Sequence, residues 1–166
     1  MRELELKRIS PASIPHALEK AEGYRLRNDP AQAESIYRDV LAVDAGNHEA
    51  LLGLILALTD QFSTVGAAAA AQEAQRQIHK LTDAYERAYY TGIVFERKAR
   101  AALTRRHVVH ASVYDGFRQA MEWYERAEAI RPPGNDDAVL RWNSCVRAIE
   151  SERLEPGARG PELPLE

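Results

Sequence analysis

The chain has 166 residues, of which 45% are hydrophobic and 28% are charged, so it can bury a core and still dissolve. Its formal net charge of -3 provides no overall attraction to nucleic acid or to an anionic membrane. No segment approaches the roughly 20 apolar residues that span a bilayer, and the N-terminus lacks the apolar run of a secretory signal. Cys145 is the one cysteine, which excludes an intramolecular disulfide. We therefore expect a cytoplasmic protein.

Helix-start signals recur along the chain. Asp29 stands before Pro30, and a carboxylate there can accept hydrogen bonds from amide groups that the first helical turn leaves free. Ser112 with Asp115 resembles a capping box, although Glu or Gln is the usual partner. The remaining candidate caps are Ser13, Asn47, Thr82 or Asp83, and Asn135 after Pro132-Pro133-Gly134.

Apolar residues between these signals are spaced as in amphipathic helices, and no segment shows strand alternation. The spacing predicts an all-α protein with seven helices, near 14–28, 30–43, 48–61, 65–80, 83–103, 113–131 and 136–152. Residues 1–13 form an N-terminal extension in this interpretation, and residues 153–166 form a flexible C-terminal tail that contains three prolines.

The predicted helices repeat a pattern. Small or apolar residues at Ala17, Ala21 and Tyr24 recur at Leu51, Ile55 and Leu58, displaced by 34 residues. The same spacing returns at Ala88, Gly92 and Phe95, and again at Ala138, Trp142 and Cys145. Second helices also match, because Ala33, Tyr37, Val40 and Val43 correspond to Ala120, Tyr124, Ala127 and Ile130, displaced by 87 residues. A period of this length is typical of helical repeat proteins.

The segments 28–44 and 119–132 resemble the tetratricopeptide repeat family, and the resemblance extends over residues 14–152. It implies a right-handed α-solenoid with antiparallel hairpins at 14–43, 48–81 and 83–131 and a capping helix at 136–152. In this family small residues such as Ala33 and Ala120 let paired helices approach, while Tyr37 and Tyr124 wedge between helices. The sequence departs from the family pattern through about 16 extra residues between Gly92 and Ala120.

The resemblance also implies where a partner binds, since the first helix of each hairpin lines a concave groove that usually holds a peptide or a partner helix. The repeat register places ten residues there: Leu18, Glu22, Arg25, Leu52, Leu56, Tyr89, Ile93, Glu96, Val139 and Asn143. Several of these are apolar, which indicates either a binding surface or packing beneath the extra residues. Some family members clamp an acidic C-terminus with lysines and asparagines, but Leu18, Glu22 and Leu52 at the matching positions cannot do so.

The leading hypothesis is a non-catalytic scaffold or adaptor that binds a protein or peptide segment. One alternative is a small cytoplasmic chaperone, similar in size and helix count to the three-repeat chaperones of bacterial secretion systems. Another is an accessory subunit that docks RNA or an acidic partner through the basic segment 97–110, with Arg97, Arg105 and Arg106 as anion-docking residues. A helix C-terminus, whose carbonyl dipoles favour cations, is the simpler explanation of this segment, and we do not expect nucleic acid or membrane binding.

The sequence contains no phosphate loop, dinucleotide fingerprint or nucleophile elbow, so we expect no enzyme activity and no cofactor. His107 and His110 are spaced like a metal pair but have no third ligand nearby, so we predict no metal site. Cys145 is interpreted as a small buried residue.

Apolar ends of the repeat stack make a homodimer plausible. Leu163 and Leu165 of the tail are spaced like anchors that could enter the groove.

Overall fold

The protein is described here by a computed structural model that covers residues 4–64 and 66–158. This part of the chain contains seven α-helices, a short 3-10 turn at Pro11–Ser13, and no strand. The helices are Ile14–Leu26 (α1), Pro30–Val43 (α2), His48–Asp60 (α3), Ala67–Ile78 (α4), Ala84–Leu103 (α5), His110–Ala129 (α6) and Asp137–Ser151 (α7). None of these helices combines the length and apolar character that a membrane span requires.

Three predicted caps start helices through their side chains. Asp29 accepts from the amide of Gln32 at 3.4 Å, Asn47 from Ala50 at 3.0 Å and Asp83 from Glu86 at 2.9 Å. Each bond satisfies one of the amide groups that a first helical turn leaves free, which explains why α2, α3 and α5 begin where they do.

The capping box predicted at Ser112 is wrong, because α6 starts at His110. The residue before that helix is Val109, which has no side-chain acceptor to offer. The extra residues of the third repeat consequently extend two helices instead of forming a long connection. Both α5 and α6 have 20 residues, and only 104–109 separate them. Ile93 belongs to the core cluster that contains Val113 and Phe117 from these extra residues, and Leu56 packs against it.

Consecutive helices pack against each other from α1 to α7, so the predicted all-helical repeat arrangement is confirmed. Beyond these neighbours, α1 contacts α3 and α3 contacts α5, which places the odd-numbered helices side by side. Helix α7 joins them through hydrogen bonds of Ser144 and Arg141 to α5. We call the surface that α1, α3, α5 and α7 share the inner face.

Two tyrosines fill space that glycines leave open. A Cβ atom added to Gly53 of α3 would overlap the ring of Tyr37 from α2. A Cβ atom on Gly92 of α5 would lie 2.5 Å from the Tyr124 ring of α6. Ala33 and Ala120 on the same helices as these tyrosines are completely buried. Close helix approach at these two places therefore depends on small residues facing large rings.

The core consists of two apolar clusters. Side chains from α1 to α4 dominate the first, which includes Leu54 and Ile78, and side chains from α5 to α7 form most of the second, which includes Phe117. Tyr90 packs against both clusters and joins them. Full burial of each such aliphatic or aromatic side chain contributes about 1.5–3 kcal/mol, so these contacts stabilise the stack far more than surface ion pairs do.

The chain after α7 folds back on the core. Leu154 is buried in the second cluster, and its amide donates to the carbonyl of Ile149 at 2.9 Å. Arg153 takes a positive φ of 51°, which turns the chain at this point. The predicted tail from 153 onward thus begins with a packed residue. Leu163 and Leu165, the proposed anchors, lie outside the described residues.

Candidate functional site

A cavity of about 420 Å³ opens on the inner face between α3, α5 and α7. Phe62 and Ala101 supply part of its apolar wall. The charged side chains around it are Asp60, Glu96, Arg97, Arg100 and Arg141. Three guanidinium groups thus face two carboxylates, which leaves the cavity with a positive formal charge.

Asp60 of α3 links two arginines from neighbouring helices. Its Oδ2 accepts from Nε of Arg25 on α1 at 2.9 Å, and its Oδ1 pairs with Nη1 of Arg97 on α5. The same Arg97 nitrogen donates to Oγ1 of Thr59 at 3.1 Å. All three charged side chains are between 22% and 24% exposed, so water still screens them and each pair contributes no more than about 1 kcal/mol. The network mainly fixes where these side chains lie.

Glu96 of α5 is the centre of a second, more deeply placed network. Its side chain is completely buried. Oε1 accepts from Nε of Arg100 at 2.8 Å and from Nη1 of Arg141 on α7 at 3.5 Å, while Oε2 accepts from the Tyr124 hydroxyl of α6 at 2.6 Å. A second bond holds Arg100, whose Nη2 donates to Oγ of Ser144 at 2.9 Å. A buried carboxylate requires such partners, because an uncompensated charge is strongly destabilising.

The surroundings of Glu96 shift the pKa values of the groups bound to it. Burial, reinforced by the neighbouring carboxylate, raises the pKa of Tyr124 well above its usual range. Burial is the largest single influence on Arg141 and would lower its pKa, but the charge of Glu96 together with Tyr89 and Tyr124 outweighs it, so the pKa of that guanidinium is raised. Tyr124 therefore stays a neutral donor and Arg141 a cation throughout the physiological pH range.

The rest of the inner face is more apolar. Leu52 of α3 is half-buried against the first core cluster, and Leu56 packs against the second. Tyr89 of α5 is also half-buried, stacked on Tyr85 with ring centroids 5.8 Å apart and edge-on to Tyr90 at 5.2 Å. Leu52, Leu56 and Tyr89 are called the apolar strip. On α3 and on α5 these residues precede the charged residues that line the cavity.

The structure separates the ten residues that the register placed in one groove. Leu18 and Ile93 belong to the core, with 7% and 1% of their surfaces exposed, so their predicted position in the groove is wrong. Glu22 is exposed on α1, where it lines another cavity with His16. Val139 and Asn143 line a third cavity of about 300 Å³ beside Trp142. Arg25, Leu52, Leu56 and Tyr89 remain partly exposed, whereas Glu96 is completely buried beneath the cavity.

Sequence reasoning missed Asp60 and Arg141, and it placed Arg100 only within the basic segment 97–110. Asp60 continues the four-residue steps of Leu52 and Leu56, so extending that stripe by one helical turn would have found it. Arg100 likewise lies one turn after Glu96 on the same face of α5. The position of Arg141 depends on how α7 packs, and no local pattern indicates it.

The basic segment does not form one surface. Arg97 faces the inner cavity and is paired with Asp60, whereas Arg105 lines a different cavity of about 350 Å³ with Lys98 and Ser112. Arg106 and His107 are exposed in the turn between α5 and α6. The three predicted anion-docking arginines are therefore not assembled into a single site. Within residues 4–64 and 66–158, no three His, Cys, Asp or Glu side chains are grouped to hold a metal ion.

Cys145 lies on the buried side of α7, as predicted. Burial, followed by the charge of nearby Glu96, raises the pKa of its thiol to about 12. The thiol is consequently protonated at neutral pH, whereas a nucleophilic cysteine reacts as the thiolate.

Comparison with known proteins gives no relative for this chain. No protein-family model, curated protein or solved structure matches it.

Proposed function

We propose that this protein is a non-catalytic adaptor of the tetratricopeptide type, and that its inner face binds a segment of a protein partner. The observation that carries this proposal is that half-buried Leu52, Leu56 and Tyr89 lie on α3 and α5, the same two helices that supply most of the residues around the cavity with Arg97 and Arg100. Half-buried apolar groups next to half-buried cations suit a peptide, which offers both kinds of side chain at short spacing.

The packing of the helices supports the tetratricopeptide assignment. Tyr37 packs on Gly53 of α3 and Tyr124 on Gly92 of α5, which agrees with the wedging of these tyrosines between helices that the resemblance implies. Odd-numbered helices lie side by side, as the leading helices of such repeats do.

Affinity purification from the organism that encodes the protein tests the proposal. Wild-type chain, an Arg100→Ala variant and an Arg147→Ala variant are compared, followed by binding measurements with the purified partner. Arg147 is an exposed residue of α7 away from the cavity, so it controls for lost charge. We expect a partner in fixed ratio with wild type and Arg147→Ala, and weaker retention by Arg100→Ala. Equal retention by all three would contradict binding at the inner face.

A further inference from the structure

We propose that Glu96 is a positioning residue, which fixes Arg100 and Arg141 as a binding pair for a side-chain carboxylate of an acidic partner segment. This inference rests on the proposed adaptor function and names the chemistry of the partner. It concerns residues of α5 and α7, and none of them occupies the positions of Leu18, Glu22 and Leu52 at which some relatives of the resembled family clamp a carboxylate.

Glu96 is buried together with its charge. An ion pair inside a protein is seldom needed for stability, because apolar residues of similar size often stabilise the same position as well. Here a carboxylate is completely buried, and the hydrogen bonds that it accepts come from the side chains of Arg100, Tyr124 and Arg141. The hydrogen bond from the Tyr124 hydroxyl fixes Oε2 of Glu96, so Oε1 faces the guanidinium groups of the two arginines. The carboxylate is thus fixed in place and can orient both guanidinium groups.

The acidic residue and the two arginines differ in their exposure to solvent. Glu96 is 0% exposed, whereas the side chains of Arg100 and Arg141 are 41% and 33% exposed. Each guanidinium has five N–H donors, and the bonds to Glu96 and Ser144 use only part of them. The negative charge is therefore hidden while donors remain at the cavity, where a second carboxylate can accept them in bidentate geometry.

The charge balance around the cavity favours a negatively charged ligand. Two guanidiniums share one carboxylate at Glu96, and Arg25 and Arg97 share one at Asp60, so each group retains one positive charge. A peptide carboxylate neutralises such a charge without the long basic surface that RNA needs. The adjacent apolar strip at Leu56 and Tyr89 offers contacts to the neighbouring side chains of the same segment.

The probe is a capped ten-residue peptide with two leucines and an Asp-Glu pair, compared with its Asn-Gln counterpart. Binding is followed by NMR on the Nε–H signals of the full chain's arginines. We expect the acidic peptide to shift the Arg100 and Arg141 signals, the amide peptide not to, and added salt to weaken binding. Arg100→Lys should lower affinity about tenfold, because a lysine cannot bind bidentately, while Arg147→Lys should leave it unchanged.

The variant Glu96→Gln distinguishes a positioning role of Glu96 from simple electrostatic attraction, because the two predict opposite changes in the affinity for the acidic peptide. Removing a negative charge makes the cavity more positive, so attraction alone predicts tighter binding of the acidic peptide. Positioning predicts weaker binding, by about tenfold, since the arginines lose the group that orients them. Ser144→Ala removes the other bond that holds Arg100 and leaves Glu96 intact. It should weaken binding in the same direction by a smaller factor, and it replaces Glu96→Gln if that variant does not fold.

The remaining outcomes each overturn the inference. Equal binding of acidic and amide peptides, tighter binding of a phosphoserine peptide or of an RNA oligomer, and tighter binding by Glu96→Gln all contradict it. So does no peptide binding at all. If a partner still requires the inner face in the purification experiment, the adaptor function stands and only the inference about its chemistry fails. If no partner requires that face, both fail.

Discussion

The hydroxyl of Tyr124 donates a hydrogen bond of 2.6 Å to the buried carboxylate of Glu96, across the interface between α6 and α5. The ring of the same tyrosine rests on Gly92, one helical turn before Glu96. One side chain therefore spaces the two longest helices and also secures the charge beneath the inner cavity. Core packing and the candidate binding surface depend on the same contact.

Tyr124→Phe should lower the free energy of unfolding by about 1.5–3 kcal/mol, because a hydrogen bond to a buried charge is lost while the ring is kept. Urea denaturation monitored by circular dichroism measures the change. Tyr114→Phe is the matched control in α6. Its side chain is only partly buried and packs at the edge of the second core cluster, so the change should stay within about 0.5 kcal/mol. A similar loss in both variants would show that the Glu96 bond contributes little.

Gly53→Ala and Gly92→Ala should each destabilise the protein by about 1–3 kcal/mol or more, since the added methyl group would overlap Tyr37 or Tyr124. Gly46→Ala provides the comparison, because an added Cβ meets nothing within 4 Å there. Thermal or urea unfolding distinguishes them. If all three variants were equally stable, the ring-on-glycine packing would not be tight.

Leu154→Ala should lower the free energy of unfolding by about 2–4 kcal/mol, because it leaves a cavity in the second core cluster. Leu140→Ala removes the same atoms from a residue of α7 that is 63% exposed, and it should have little effect. Urea unfolding of both variants is the measurement. Equal stabilities would place the end of the folded unit before residue 154.

Stability should fall as the pH rises from 9 toward 12. The thiol of Cys145 has its pKa raised by burial from 9.0 to about 12, so above pH 9 the unfolded chain loses a proton that the folded chain keeps. Burial likewise raises the pKa of Tyr90 from 10.0 to about 12, which adds to the loss in the upper part of this range. Each group can lower the free energy of unfolding by up to about 1.4 kcal/mol per pH unit.

Urea midpoints measured across that range test this expectation, and Cys145→Ala should flatten the dependence that begins near pH 9. A pH-independent midpoint would contradict the buried state of both groups. Iodoacetamide provides a second readout, since it should label Cys145 slowly in the native protein and rapidly in denaturant.

Much of the fold was predictable because its signals are local. Asp29, Asn47 and Asp83 each bond to an amide three residues ahead, so sequence spacing alone locates them. The start of α6 was misplaced because Val109 begins that helix without a side-chain cap. Apolar periodicity gave the helices but not their exact ends.

The site was less predictable because it depends on distant pairs. Asp60 meets Arg25 and Arg97 at separations of 35 and 37 residues, and Arg141 meets Glu96 at 45. Helical register predicts on which side of a helix a side chain lies. Whether that side is exposed or buried depends on how the neighbouring helices pack, which the register does not give. Ile93 illustrates this, since it was assigned to the groove and is instead enclosed by the core.

Photo-crosslinking in the native cell tests most directly whether the inner face binds a partner. A benzoylphenylalanine replaces Ser63, which is exposed at the inner cavity, or Glu122, which is exposed on α6. We predict that irradiation joins one protein to the chain from position 63 and not from position 122, and that Arg100→Ala reduces the yield. Crosslinks from position 122 alone, or equal yields from both positions, would contradict binding at the inner face.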